Sequence, residues 1–524
     1  MKNLFLFLIN ILIINTYTFS QSPTINWQRC YGGSENDWGE KIIKGTNNDL
    51  IIVGSTHSSD GDMNVGYDST NIYWFRLDTN NAIINSRGYG GSGNDYAEDV
   101  IPAWDYGYLI LGSTSSNDFL VNGNHGNYDI WLFKITIQGV VQWQKSFGGS
   151  NADFAHSIIK TSDSCYVISG QTKSNDGDVS LNHGLPNTND FWMIKIDASG
   201  NILWEKTYGG LNGEYAYHVI ETKDKGFLLA GATFSNSGQV SGNHGAEDIW
   251  VVKTDSVGTF QWQHCYGGDF LEEGLKVLEL NSHYYIFGGN SSNNGDVSNN
   301  HPENGSSHPA SSDAWLLCID TLGNLEWEKS YGGSHGESGW DIFNYGNYLF
   351  LISDSYSSDG DVSNNHYFST DFWFMQTDLN GNIIWQSCYG GFDDEYPYSL
   401  LLNNNHLYGL GLAVSNDGDV LGNHGRSDFW LIDLNIDNLI NNRTDLFPEN
   451  NINISPNPVN DKLFITIHEE ARMFLLDVNG KIVLEKKIIN TFSENVSDIP
   501  NGIYFIKIIL KTHEQYNQLI VVQH

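Results

Sequence analysis

Asp190-Phe-Trp-Met-Ile-Lys-Ile-Asp-Ala-Ser-Gly-Asn-Ile-Leu-Trp-Glu-Lys-Thr-Tyr-Gly-Gly210 sets two short alternating runs around Ala198-Ser-Gly-Asn201. A period of two on both sides of a Gly-bearing turn reads as a β-hairpin. The hairpin ends on an aromatic-Gly-Gly, and that tripeptide recurs. It begins at Tyr31, Tyr89, Phe147, Tyr208, Tyr266, Tyr331 and Tyr389, in steps of 58, 58, 61, 58, 65 and 58 residues. A period of this length marks one supersecondary unit used again and again. Upstream of the hairpin, Phe154 to Lys160 alternates and reaches the turn Asp163-Ser164. Cys165 to Gly170 is rich in β-formers, and Ser174 to Asn189 is a polar loop. One unit therefore predicts four short strands, a to d, with no helical period anywhere.

Repeated four-stranded antiparallel units predict an all-β fold, a seven-bladed β-propeller, which leaves only short protected edges. The alternative is a linear β-solenoid. The chain opens with a lone strand d, Ile25 to Tyr31, and its last unit stops after strand c, Asp428 to Leu434. If the first strand completes the last blade, every blade has four strands, an exchange that only a ring needs. Strand c carries Trp131, Trp192, Trp250, Trp315, Trp373 and Trp430, with Tyr73 in the first unit. Strand d carries Trp27, Trp143, Trp204, Trp262, Trp327 and Trp385, with Asn85 in the first. Large aromatics at a fixed slot are read as packing between blades, and the blade with Tyr73 and Asn85 is expected to be the loosest. The segment Lys195 to Trp204 resembles the tryptophan-docking motif of quinoprotein-type propellers. The likeness spans some ten residues per blade, implies a propeller and implies no quinone.

The pattern ends at Leu434. Ile454-Ser-Pro-Asn-Pro-Val-Asn-Asp461, Phe474-Leu-Leu-Asp-Val-Asn-Gly-Lys481, Val496-Ser-Asp-Ile-Pro-Asn-Gly-Ile-Tyr-Phe505 and the apolar run Gln518 to Val522 follow. Alternation and turn spacing predict a small β-sandwich. The Pro-Asn-Pro entry, the Asp-x-x-Gly-Lys hairpin and the Asn-Gly-Ile-Tyr strand resemble the type A C-terminal sorting domain of the type IX (Por) secretion system of Bacteroidetes. That resemblance implies Sec export to the periplasm, then passage across the outer membrane by the type IX machinery, engaged through residues 451–524. It also implies a product that is secreted or held at the cell surface. The propeller repeats likewise resemble those of secreted Bacteroidetes proteins. The expected layout is a signal peptide at 1–20, a propeller at 21–436, a linker at 437–450 and the sorting domain at 451–524. Lys2 and the apolar run Leu4 to Ile14 carry the signal-peptide reading, with cleavage near Ser20. That run is too short to span a bilayer and no later stretch is apolar enough.

The formal charge of -36 argues against nucleic acid, since phosphate recognition needs clustered Lys and Arg. Five cysteines are an odd number for a disulfide framework, and Cys30, Cys265 and Cys388 share one small-residue slot, so they read as buried packing thiols.

Two polar signatures fall on loops d–a and b–c, which antiparallel order places on one rim. An acid stands four residues after the second glycine in all seven units: Asp37, Asp95, Asp153, Glu214, Glu272, Glu337 and Glu395. The b–c loop carries Asp60 and Asp62, Asp118, Asp176 and Asp178, Asp296, Asp359 and Asp361, and Asp417 and Asp419. It also carries His125, His183, His244, His301, His366 and His424, and an acid just before strand c in six units, Asn71 in the first. Three readings stay open. The acids cap backbone N–H groups and hold the loop His or Ser. Or the paired loop aspartates hold a structural Ca²⁺, an ion suited to hard oxygen ligands, with no other cofactor implied. Or the acids surround a ligand site at the ring mouth, for a glycan or a protein. The insertion His301 to Ser312 breaks the symmetry, so Glu303 and His308 join the ligand-binding candidates. No catalytic residue is assigned. A binding or adhesion module fits the near-identical acids better than an enzyme does; the alternative is a secreted glycan-directed hydrolase or an accessory subunit of one, whose paired carboxylates would need unequal environments.

Overall fold

The computed structural model describes residues 22–436, except 46–48, 64–68, 302–310 and 367–368. It also describes 453–522, except 456–458, 460–461, 467–470, 478–480, 489–490 and 511–514. The expected signal peptide and linker, and both Glu303 and His308, lie outside the described residues. The chain divides into two compact units, Met1–Ile440 and Asn441–His524.

The larger unit is all-β and propeller-like. Seven open four-stranded antiparallel sheets follow one another, and six of them run a-b-c-d in chain order. In the third repeat the strands are Asp153–Lys160, Tyr166–Thr172, Asp190–Ile196 and Ile202–Tyr208. The seventh sheet takes its fourth strand from the start of the chain. Thr24–Tyr31 pairs antiparallel with Asp428–Asn435, Cys30 opposite Trp430. Strands b and c are buried along almost their whole length, and wholly so in Tyr166–Thr172 and Asp190–Ile196. Apolar side chains on both faces are what a sheet covered on both sides requires.

Contacts between sheets repeat as faithfully as the strands. The hydroxyl of each tripeptide tyrosine donates to a carbonyl in the next sheet's c–d turn: Tyr89 to Gly139 at 2.7 Å, Tyr208 to Gly258 at 2.6 Å, Tyr266 to Gly323 at 2.6 Å and Tyr331 to Gly381 at 2.7 Å. Across the chain ends the same bond persists, Tyr389 to Pro23 at 2.6 Å and Tyr31 to Asn81 at 3.2 Å. Strand-d indoles cover the same turn. A methyl group on Gly200 would meet Trp143, and one on Gly258 would meet Trp204. In the first sheet, where Asn85 stands in that slot, it is Trp74 of strand c that lies over Gly139. The slot that the sequence leaves empty is thus filled from the neighbouring strand. The strand-c indoles are fully buried, and in the other six sheets each donates to strand d, as Trp192 Nε1 does to Glu205 at 3.0 Å.

Every strand a packs against the strand a of the next sheet, and the seventh, Glu395–Asn403, packs against the first, Asp37–Lys44. One apolar cluster joins Ile42, Leu50 and Ile52 of the first sheet to Leu410, Phe429 and Leu431 of the seventh. Each strand a also carries a bulge at the same place, between Gly39 and Lys41 in the first and between Ala216 and His218 in the fourth. A bulge turns an extra side chain out of the pleat. All five cysteines are free, and four of them are buried.

The smaller unit holds a three-stranded and a four-stranded sheet around one core that includes Leu463, Ile465, Met473, Leu475, Ile506 and Ile520. Its Asp-x-x-Gly-Lys turn is closed by Lys481 N–H donating to Asp477 Oδ1 at 2.9 Å. Among the described residues no helix is long and apolar enough to cross a membrane.

Candidate functional site

The seven repeated acids sit at the start of strand a, fully buried, and every one accepts the same backbone bond. The N–H of the second glycine donates to each carboxylate at 2.7–3.0 Å. Hydroxyls from the end of strand b and the b–c loop add to this. Asp95 accepts from Ser116 at 2.9 Å, Glu214 from Thr233 at 3.0 Å and Glu337 from Ser355 at 2.8 Å. Burial pushes Glu214, Glu337 and Glu395 up to about 7 despite these donors, and raises Asp37, Asp95, Asp153 and Glu272 in the same sense.

The b–c loop aspartates are tied to the neighbouring tripeptide loop. Asp60, Asp176, Asp359 and Asp417 accept the N–H just past the second glycine at 2.7–2.9 Å. Asp178 and Asp419 reach the first glycine's N–H at 3.2 and 3.3 Å. Asp62 and Asp361 donate their own N–H to its carbonyl at 2.9 and 2.8 Å. Each loop histidine bonds the acid that opens strand c through Nδ1, at 2.5–2.8 Å in all six pairs. These are the capping bonds of the first reading. Among the described residues no group of three or more His, Cys, Asp or Glu side chains is placed to hold a metal ion.

A second set of side chains lies on strand a itself, half-buried at the first and third positions after the acid and, in four sheets, buried at the fourth. Three positions after the acid, counting first, third and fourth, give three layers with one residue per sheet. The first layer reads Trp38, Tyr96, Phe154, Tyr215, Glu273, Ser338 and Tyr396. The third positions read Glu40, Glu98, His156, Tyr217, Leu275, Trp340 and Tyr398. The fourth, turned in by the bulge, read Lys41, Asp99, Ser157, His218, Lys276, Asp341 and Ser399. Unlike the seven acids, these differ from sheet to sheet.

The layers are internally connected. Trp38 Nε1 donates to Glu40 at 2.7 Å, Glu98 Oε2 lies 3.5 Å from His156 Nδ1, and His156 meets Tyr217 edge-on at 5.3 Å. Trp340 meets Tyr398 at 5.0 Å and donates to Asp354 at 2.6 Å. In the deepest layer Lys41 Nζ is 3.4 Å from Asp341 Oδ2. Side chains there also bind the next strand a. Ile158 N–H donates to Asp99 at 3.0 Å, Leu400 N–H to Asp341 at 2.9 Å, and Ile42 N–H to Ser399 Oγ at 3.4 Å, from the seventh sheet back to the first.

Electrostatic coupling spans the sheets. Burial lowers Lys276, helped by Lys41, and drives His218 well below the ordinary imidazole range, helped by both lysines. Burial also opposes the charge on Lys41, but Asp341 and Asp99 outweigh it and hold the ammonium above its usual value. Burial, then the Glu98 charge, pushes Glu40 up to about 8. Asp354 and Glu247 are pushed up to about 7, chiefly by burial. Opposed shifts on neighbouring groups nominate these layers as the candidate site, as they also would a structural ion-pair network.

Sequence reasoning fastened on the columns that repeat and passed over these, which vary. The signal was available: aligned on the acid, the fourth column reads Lys, Asp, Ser, His, Lys, Asp, Ser inside an otherwise apolar strand. The next column, Ile42, Val100, Ile158, Val219, Val277, Ile342 and Leu400, is apolar throughout, so the fourth stands apart from it.

Residues 453–523 match the family described as Secretion system C-terminal sorting domain. No curated protein matches the chain. Among solved structures, the acylaminoacyl peptidase of Pyrococcus horikoshii shares 8% identity over 90% of this chain, with a TM-score of 0.38; this chain spans only 58% of that one. The phage phi92 endosialidase shares 10% identity over 94% of this chain and 87% of its own, with a TM-score of 0.37. Drosophila Plexin A, in complex with Semaphorin 1b, shares 10% over 79% of this chain and 87% of its own, with a TM-score of 0.40. At these scores neither fold nor function is taken from them. The sorting-domain match stands by itself, and it supports export by the type IX secretion system to the outer surface or beyond.

Proposed function

We propose that the seven sheets are the blades of a closed seven-bladed propeller spanning residues 21–436, and that the protein is an exported binding module acting at the cell surface or in the medium. A signal peptide at 1–20 starts the export route, and a β-sandwich at 451–524, reached through a linker at 437–450, supplies the type IX address. The ligand site is the mouth where the seven strands a begin, and its determinants are the varying layers rather than the seven equal acids. One observation carries this reading: strands that are near-copies of each other in their apolar buried positions differ at the half-buried first and third positions after the acid. Packing selects equal residues in equal slots, whereas recognition of one asymmetric ligand requires unequal ones.

The test is a screen of the whole chain against arrayed glycans and arrayed proteins, repeated with Glu273→Gln and with Asp95→Asn. Binding lost with the first variant and kept by a folded form of the second places the ligand at the varying layers. The reverse outcome moves it to the repeated acids. A second reading, a secreted glycan-directed hydrolase, is favoured by the unequal environments of Glu40, Glu98 and Asp341. Release of reducing ends, abolished by Glu40→Gln with binding intact, would select it.

A further inference from the structure

The mouth layer is chemically two-sided. From the first sheet to the third, ring follows ring. His57 meets Trp38 edge-on with centroids 5.7 Å apart, Trp38 lies 6.3 Å from Tyr96 at 33°, Tyr96 6.2 Å from Tyr128 at 31°, and Tyr128 5.1 Å from Phe154 at 30°. The small angles turn four of these rings into a gently curved platform. Trp38, Tyr96, Tyr128 and Phe154 are all half-buried, so they are held in place yet not covered. Trp38 is further fixed by its bond to Glu40. At the fifth and sixth sheets the column changes: Glu273 and Ser338 stand where the other five sheets have an aromatic, and Glu247 and Asp354 stand close to Glu273.

We propose, building on the binding role above, that this mouth holds a chain of uncharged sugars, the aromatic arc stacking on pyranose C–H faces and the Glu273 side accepting and donating hydrogen bonds to hydroxyls. Three features argue for this class. Each ring presents apolar area with few rotamers to freeze, which is what stacking on a flat, amphipathic ligand demands. The ring-to-ring spacing runs continuously across three sheets, so it suits a repeating polymer better than a compact ligand. The carboxyl groups opposite, held partly protonated by burial, both donate and accept, as sugar hydroxyls require. The chain's net charge of -36 disfavours uronates, sialates and sulfated sugars.

The experiment is calorimetric titration of the whole chain with β-linked hexasaccharides of glucose, xylose and N-acetylglucosamine, and with mannan, against polygalacturonate as the charged comparator. At least one neutral glycan should bind. Tyr96→Ala and Phe154→Ala should each weaken it tenfold or more without lowering the melting temperature, while Tyr96→Phe, which keeps the ring, should bind nearly as well as the parent. Absence of binding to every neutral glycan, or equal binding of polygalacturonate, overturns the proposal. A polyanion or protein that binds and is lost on Glu273→Gln overturns it too, but leaves the mouth as the ligand site. Glycan binding indifferent to Tyr96→Ala, Phe154→Ala and Glu273→Gln overturns both readings.

Discussion

At the scale of single residues, the tripeptide is explained by what crowds its first glycine. At Gly209 a methyl group would lie 2.6 Å from Asp190 Oδ1 and 2.6 Å from Glu214 Oε2, and the other six first glycines are hemmed by the equivalent pair. The first of those oxygens makes no conventional hydrogen bond in six sheets, and Asn71 Oδ1 takes its place in the first. Two facing carboxyl groups in so little space favour retention of a proton. The folded chain binds protons at Glu214, Glu337 and Glu395 more tightly than the unfolded chain, whose glutamates titrate near 4.5. Their stabilising contribution is therefore complete below about pH 4.5 and is lost as the pH rises through about 7. His244, His301 and His366 are raised by their aspartates and act with the same sign. Thermal melts should show the midpoint falling by several degrees from about pH 5 to about pH 8. The triple Glu214→Gln, Glu337→Gln, Glu395→Gln variant should give a flatter profile. A midpoint rising over that interval would contradict the assignment.

At the scale of strands, most of the repeat was legible from alternation and turns. Strand d of the third repeat ends where the sequence places it, at Ile202 and Tyr208, because Gly200 and the glycine pair bracket it sharply. Strand a starts one residue earlier than expected, at Asp153, since its backbone joins the ladder before its first apolar side chain. The strand-a bulge was not legible. Its mark, a buried small residue followed three positions later by the next buried apolar one as in Ala97 and Val100, is too slight to separate from ordinary alternation, and it is what brings Lys41, Asp99, His218 and Lys276 together. The repeated acids were found but read only by pattern, and pattern does not distinguish an acid that faces a ligand from one buried under two glycines. The first sheet was expected to be the loosest, yet Trp74 fills the space over Gly139 that Asn85 leaves. Trp74→Ala should therefore cost as much as Trp204→Ala, about 3–5 kcal/mol each by denaturant titration. Asn85→Trp should add no stability, because its place is taken. A mild Trp74→Ala with a stabilising Asn85→Trp would show that the slot is open.

At the scale of the molecule, the pairing of Thr24–Tyr31 with Asp428–Asn435 joins segments some four hundred residues apart, and three further contacts cross the same junction: Tyr389 to Pro23, Tyr31 to Asn81, and Ser399 to Ile42. Deleting residues 22–31 removes them all but the last and bares the edge of Asp428–Asn435, an invitation to intermolecular pairing. That variant should be found in aggregates, and a peptide of residues 22–31 added during refolding should restore monomer. A soluble, monomeric deletion variant would deny the first strand its closing role.

Such a junction makes the ribosome's last repeat a checkpoint. Until Asp428–Asn435 has been synthesised, the amino-terminal strand has no partner, and a product truncated at any earlier repeat keeps two raw edges that no rearrangement can hide. Quality control thus needs no separate sensor: chains cut short advertise themselves to proteases and holdases, while a chain that reaches Asp428–Asn435 pairs that strand with Thr24–Tyr31.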